Sequence, residues 1–355
     1  MNDQLQIAVN VRPQGPDGES FAVEADKLGV QSLWSAEAWG YDALTPLAYL
    51  AGLTRSAKLG TAIAALGARS PAMLAMSAMS MQALSGGRFI LGLGASGPQV
   101  IEGWHGVRFD KPVQRTRETI DIIRMITKGE KLNYQGQCYQ LPLPDSEGRS
   151  IRSMDSPVDV PIYIAALGPA NLKLVGERAD GWIGNSFIPE SADVFFDPIA
   201  NAATAVGRSI QDIDLTVQMS AEFSDDVEEI SRRHAGGYAF TFGAMGTSKK
   251  NFYNDAFSRQ GYGEAIAEVQ RLWLEGDREA AANAVPAEIG LKTNLIGTKE
   301  IVRERLVRYR DAGVNTLRLT CAGSYLDAKL QTLGTMLDLV REVNALTPAH
   351  NATNE

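Results

Sequence analysis

Three stretches hold residues whose types and spacing could do chemistry. Glu37-Ala38-Trp39-Gly40-Tyr41-Asp42 sets a carboxylate two positions from an indole. An acid/base group beside a flat apolar wall could bind and polarise a heterocycle, and a surface glutamate beside a core tryptophan fits the same residues. Gly92-Leu93-Gly94-Ala95-Ser96-Gly97 matches GxGxxG. As a dinucleotide fingerprint that motif should follow the first strand of a βαβ unit, with an acidic residue about twenty positions on. Here several strand–helix units come first, and the next β-like stretch is a polar hairpin. The small residues still let backbone approach a flat ring or a phosphate, and close strand packing would call for the same glycines. Ala166-Leu167-Gly168-Pro169-Ala170-Asn171 opens into a helix. Its first amides suit a phosphate, while Pro169 equally suits an ordinary helix start. His105, within Glu-Gly-Trp-His-Gly-Val-Arg-Phe, is the histidine near a strand end, open to a catalytic or a hydrogen-bonded loop role.

Other chemistries lack their residues. Histidine occurs at positions 105, 234 and 349, without HExxH, a carboxylate cluster or a Cys-His spacing, so no metal site is expected. GxSxG and GxxxxGK[ST] are both missing, which argues against hydrolase and nucleotide-triphosphatase chemistry. With 34 basic against 42 acidic residues, a net charge of -8 and no basic stripe, nucleic acid is not an expected partner. Cys138 and Cys321 are too few and too distant for a disulfide scaffold, and both read as buried small hydrophobes. The first residues carry acid where a signal peptide needs positive charge, and no stretch reaches the roughly 18 to 20 apolar residues of a membrane span. These features predict a cytoplasmic protein that acts on a small molecule, away from membranes.

The elements that must position the three stretches follow a repeating rhythm. Hydrophobic residues at 45% and charged residues at 21% allow a large core. Short apolar runs at 5–11, 32–37, 58–66, 88–94, 161–167, 181–184, 215–223 and 316–321 alternate with amphipathic runs. Helices are predicted at 20–27, after Pro46, and at 71–84, 116–127, 170–179 and 189–206, with another after Leu326. Repeated βα units imply a parallel sheet, and eight strands with no linker between halves favour one closed α/β (β/α)8 TIM barrel spanning residues 1–347. Residues 131–141 alternate around Gln135-Gly136 and read as an inserted β-hairpin. Residues 236–293 read as a helical insertion near the open end, and 348–355 as a frayed tail. Active sites of such barrels gather at the C-terminal strand ends, where the three stretches fall.

Taken in order, the blocks WSAEAWGYDALTPLAYLAGLT, LGTAIAALGARSPAMLA, LSGGRFILGLGASGPQVIEGWHGVRF and VPIYIAALGPANLKLVGERADGWIGN resemble the luciferase-like monooxygenase superfamily. More narrowly they resemble its F420-dependent oxidoreductases, in the branch of methylenetetrahydromethanopterin reductase. The similarity runs from about residue 5 to about residue 345. The resemblance implies a barrel holding a 5-deazaflavin that exchanges hydride at ring carbon C5 with a small organic substrate. It implies a non-prolyl cis peptide at Ala62-Ile63 backing the ring. It also implies ring and phosphate contacts from Gly94, Ala95, Ser96 and Gly97 and from Ala165, Ala166, Leu167 and Gly168, and an acidic contact from Glu37. Glu37, Trp39 and His105 would shape the catalytic end, and the protein would be a homodimer. The glucose-6-phosphate dehydrogenase branch carries a histidine where this chain has Ala38, which removes the expectation of a histidine base or a sugar-phosphate substrate.

Two further readings stay open on the sequence. FMN shares the tricyclic ring, ribityl chain and phosphate of the deazaflavin, so an FMN-dependent monooxygenase fits the same loops. A non-catalytic ligand-binding barrel also fits, with the insertion around Lys249-Lys250-Asn251-Phe252-Tyr253 as a docking surface, a lid or a solvated basic turn. The substrate is outside the reach of the sequence beyond an aromatic bias from Trp39, Trp104 and Phe187.

Overall fold

The computed structural model describes residues 4–245 and 251–346; Lys249, Lys250 and the expected tail lie outside the described residues. Along the chain run β1 (Gln6–Asn10), α1 (Gly18–Leu28), β2 (Ser32–Ser35), α2 (Leu44–Leu53), β3 (Lys58–Thr61), α3 (Pro71–Ser85), β4 (Phe89–Gly94) and α4 (Pro112–Thr127). There follow β5 (Ile162–Ala165), α5 (Pro169–Arg178), β6 (Gly181–Gly184), α6 (Asp193–Ala205), β7 (Asp214–Phe223), α7 (Lys299–Asp311), β8 (Thr316–Cys321) and α8 (Leu326–Ala345). Each strand pairs in parallel with the next, β6 pairs with β7, and β8 returns to β1, so the eight strands close into a (β/α)8 barrel. The strands are short and apolar because both faces are covered, by barrel interior on one side and helices on the other.

Local chemistry sets the helix limits. Ser70 Oγ accepts from the Met73 amide at 3.2 Å, Pro71 occupies the first turn of α3, and Gly86 ends it at φ 66°. Residues 227–244 and 252–292 form short helices whose buried Phe242, Phe257, Ile266, Val269 and Ile289 make a separate apolar cluster. Tyr134–Gln135 and Gln140–Leu141 pair antiparallel, and Glu118 on α4 holds their turn by accepting the Gln137, Cys138 and Tyr139 amides at 2.7–2.9 Å.

Three features differ from the sequence reading. The apolar run 58–66 is not one strand: it breaks after Thr61 and resumes as Ala64–Ala65. A ninth strand, Leu295–Gly297, extends the end of β7, and α7 follows it, because three residues carry no period to read. Cys138 and Cys321 are half-buried rather than buried. No helix among the described residues is long and apolar enough to cross a membrane.

Candidate functional site

The break in β3 shapes the barrel mouth. Leu59 and Gly60 face Phe89 and Ile90 of β4, yet Ala64 and Ala65 face Leu93 and Gly94, so β3 carries one residue more than β4 across the interval. That extra residue is a β-bulge, and the Ala62-Ile63 peptide within it is cis, as the resemblance implies. Thr61 restores the interrupted ladder: its Oγ1 donates to the Gly92 carbonyl at 2.8 Å and accepts the Gly92 amide at 2.9 Å. Gly92 must lack a side chain, since a Cβ there would sit 1.8 Å from the Thr61 carbonyl oxygen. A Cβ on Gly94 would lie 2.6 Å from Ile63 Cδ1. Packing against the bulge therefore accounts for the first two glycines of the GxGxxG match. Gly97 is uncrowded by comparison and caps the short helix Pro98–Ile101, next to Ser96 at φ 58°.

Ala62, Ile63 and Ala165 gather half-buried on one cluster in the barrel interior made by Ala8, Trp34, Ile90, Tyr163 and Ile183. The result is a small-residue seat over an apolar floor. Beside it, the Ala166 carbonyl accepts from Trp182 Nε1 at 2.8 Å, and Gly168 caps α5. Arg259, from the inserted segment, donates to the Leu167 carbonyl and to the Val194 carbonyl, setting a cation at that helix start. Asn171 Oδ1 is buried there with no partner among the described residues.

Glu37 lies at the rim with 7% of its side chain exposed, and it is fully engaged. Oε1 accepts the Ala65 amide at 2.8 Å and Arg69 Nη1 at 2.6 Å; Oε2 accepts the Ala43 amide at 3.0 Å and Arg69 Nη2 at 2.9 Å. One carboxylate thus ties the loop after β2 to the loop after the bulge. Hydrogen bonding to Glu37 raises the Arg69 pKa against the opposing effect of burial. Burial pushes Asp42 up, but amides of Thr45 and Leu44 and the Arg69 charge outweigh it and hold this carboxylate below its usual range. Trp39 is 59% exposed on the rim, so the indole does not bury Glu37 as the sequence spacing suggested. His105 is half-buried in a loop whose next residues, Val107 to Asp110, line a cleft with Leu66, Gly67 and Ala95. Phe187 is no pocket wall: it packs in the core on Trp182, Phe195 and Phe196.

The site residues that sequence reasoning missed are Arg69, Thr61 and Arg259. Arg69 follows the third strand run closely enough to be noticed, but its pairing with a glutamate thirty-two positions earlier is a property of the fold alone.

The chain matches the family model described as luciferase-like monooxygenase over residues 13–316. It is 36% identical over 309 residues to a Mycobacterium tuberculosis protein assigned to the coenzyme F420-dependent oxidoreductases, covering 84% of this chain and 89% of that one. It is 27% identical to 5,10-methylenetetrahydromethanopterin reductase of Archaeoglobus fulgidus, with the same coverages of 84% and 89%. Among solved structures, the coenzyme F420 dependent tetrahydromethanopterin reductase of Methanopyrus kandleri superposes with a TM-score of 0.73 at 22% identity, over 93% of this chain and 97% of that one. An FMN complex of a Baeyer-Villiger monooxygenase from Pseudomonas putida superposes at 0.65 and 20% identity, over 97% and 99%. The two superpositions share the fold of this barrel, and the family match together with the sequence identity shows that the chain belongs to the luciferase-like monooxygenase family.

Proposed function

We propose that this protein is a coenzyme F420-dependent oxidoreductase that transfers hydride between the deazaflavin and a small organic substrate. The observation that carries the reading is the seat of Ala62, Ile63 and Ala165 at the barrel mouth, in a chain that has relatives named for that coenzyme, the Mycobacterium tuberculosis protein among them. The same names displace the non-catalytic barrel, since they are names of enzymes.

The donor set and shape fit the group. The bulge at Ala62-Ile63 would back the ring, and Gly94 to Gly97 with Ala165 would edge it. Ala166 to Gly168, the first amides of α5 and the Arg259 guanidinium would hold the phosphate. When bound, the deazaflavin supplies a carbon that takes or gives a hydride. The chain positions and shields that carbon. Glu37 acts here as a positioning group, because each of its oxygens already accepts two hydrogen bonds. Trp39, which is exposed, and His105, which is half-buried, would face substrate.

FMN would fit the same seat by shape; the relatives named for F420 favour the deazaflavin. Tyr49 and Leu53 on α2 and Met73, Met76 and Leu84 on α3 are exposed apolar residues on neighbouring helices, which supports a homodimer through this face. Two unbridged cysteines fit a reducing cytoplasm. The test is a panel of small carbonyl and enone compounds offered with reduced F420, following its absorbance on reoxidation. Reoxidation with at least one compound is expected. Oxygen consumption with reduced FMN, and none of these turnovers, would overturn the reading.

A further inference from the structure

Arg318 sits inside the barrel on β8, facing Ala8 of β1 and Gln218 of β7 in the strand register. One layer below, Thr316 Oγ1 donates to Asp214 at 3.0 Å and the Tyr163 hydroxyl donates to the same carboxylate at 2.8 Å, closing the floor. One layer above, exposed Thr320 accepts from Asn10 Nδ2 at 3.0 Å, at the open mouth. Between these layers Arg318 is 2% exposed. Its guanidinium carbon lies 5.6 Å from the centre of the Trp34 ring, and Trp34 is the floor on which Ala62, Ile63 and Ala165 pack.

The hydrogen bonding of this guanidinium is incomplete. Nη2 donates to Gln218 Oε1, while Nε and Nη1 are buried with no partner, and no carboxylate among the described residues pairs with it. Other buried arginines are treated differently: Arg305 bonds to Glu190 and Arg310 to Asp311. Burial lowers the Arg318 pKa to about 9, which leaves the group charged at neutral pH. A buried unpaired charge opposes folding, so its presence under the mouth calls for a compensating ligand.

We propose that Arg318, oriented by Gln218, forms an oxyanion site beneath the ring seat, for a carboxylate or enolate oxygen of the substrate or for a ring oxygen of the coenzyme. The coenzyme arm of this proposal rests on the deazaflavin reading; the substrate arm does not. The coenzyme-free full chain is melted with formate, and with chloride at matched ionic strength, as wild type and as Arg318→Met; F420 is titrated against both by fluorescence. A ligand that binds only the folded state raises the melting temperature in a saturable way. For a substrate oxyanion, formate stabilises wild type but not Arg318→Met, and F420 affinity stays within about twofold. For a coenzyme oxygen, F420 affinity falls about tenfold or more in the variant, which corresponds to about 1.4 kcal/mol. If neither formate stabilisation nor F420 affinity depends on Arg318, the guanidinium is structural and the proposal falls. Should Arg318→Met fail to fold, the neutral Arg318→Gln is judged by the same two ligand criteria. None of these failures touches wild-type binding of F420, which stands or falls separately.

Discussion

Glu37 is where residue chemistry and residue position part ways. A carboxylate leaving a strand end invites an acid/base role, and the sequence shows no more than that. The fold adds Arg69 and the Ala43 and Ala65 amides, which turn the group into a clamp between two loops. Glu37→Gln keeps the volume but sets an NH2 against donors and leaves the Arg69 guanidinium, with 18% side-chain exposure, only the Asp42 carboxylate at 3.9 Å. Breaking a buried pair costs about 3 to 5 kcal/mol, and partial exposure of Arg69 places this one near the low end. Urea unfolding should show that loss, with a pH profile of kcat/KM unchanged in shape. A variant as stable as wild type whose turnover falls about 10²- to 10⁴-fold would instead restore proton exchange to Glu37.

Two elements, the bulged strand and the hairpin, rest on glycines with opposite legibility. The run 58–66 is apolar through most of its length, so no change of period marks the bulge, and GxGxxG left approach to a ring or phosphate and close strand packing both open. Gly92→Ala drives a Cβ into the Thr61 carbonyl, and backbone has to move. Stability should fall by about 3 kcal/mol and coenzyme affinity should fall with it, as the bulge shifts; an unperturbed Gly92→Ala protein would show that close approach is not required. The hairpin was legible because Gln135-Gly136 interrupts a clean alternation, but its anchor was not. Burial pushes Glu118 up, while Gln114 and the amides of Cys138, Gln137 and Tyr139 outweigh that and hold it below the usual glutamate range. A lowered carboxylate contributes stability above its unfolded pKa and loses it as pH falls through the folded value. Amide exchange at residues 137–139 should therefore quicken as pH drops below about 4, beyond the intrinsic pH dependence, and Glu118→Gln should be already open at pH 7. Equal protection in wild type and variant would remove Glu118 as the anchor.

At the scale of the molecule, the alternation of apolar runs with amphipathic ones announced barrel closure, because a parallel strand buried on both faces has a recognisable composition. What escaped was short or long-range: a three-residue strand at Leu295–Gly297, an arginine reaching Leu167 from the insertion, and a guanidinium buried inside β8. The exposed face of α2 and α3 belongs to this scale too. Light scattering should give twice the chain mass at micromolar concentration, and Met76→Glu, placing charge in that face, should give the monomer; a wild-type monomer would contradict the dimer. The central claim is the cofactor, and equilibrium titration of the purified, cofactor-free protein tests it most directly. The account predicts that F420 binds at least tenfold more tightly than FMN, a gap of about 1.4 kcal/mol. FMN binding tighter by that same factor would contradict it.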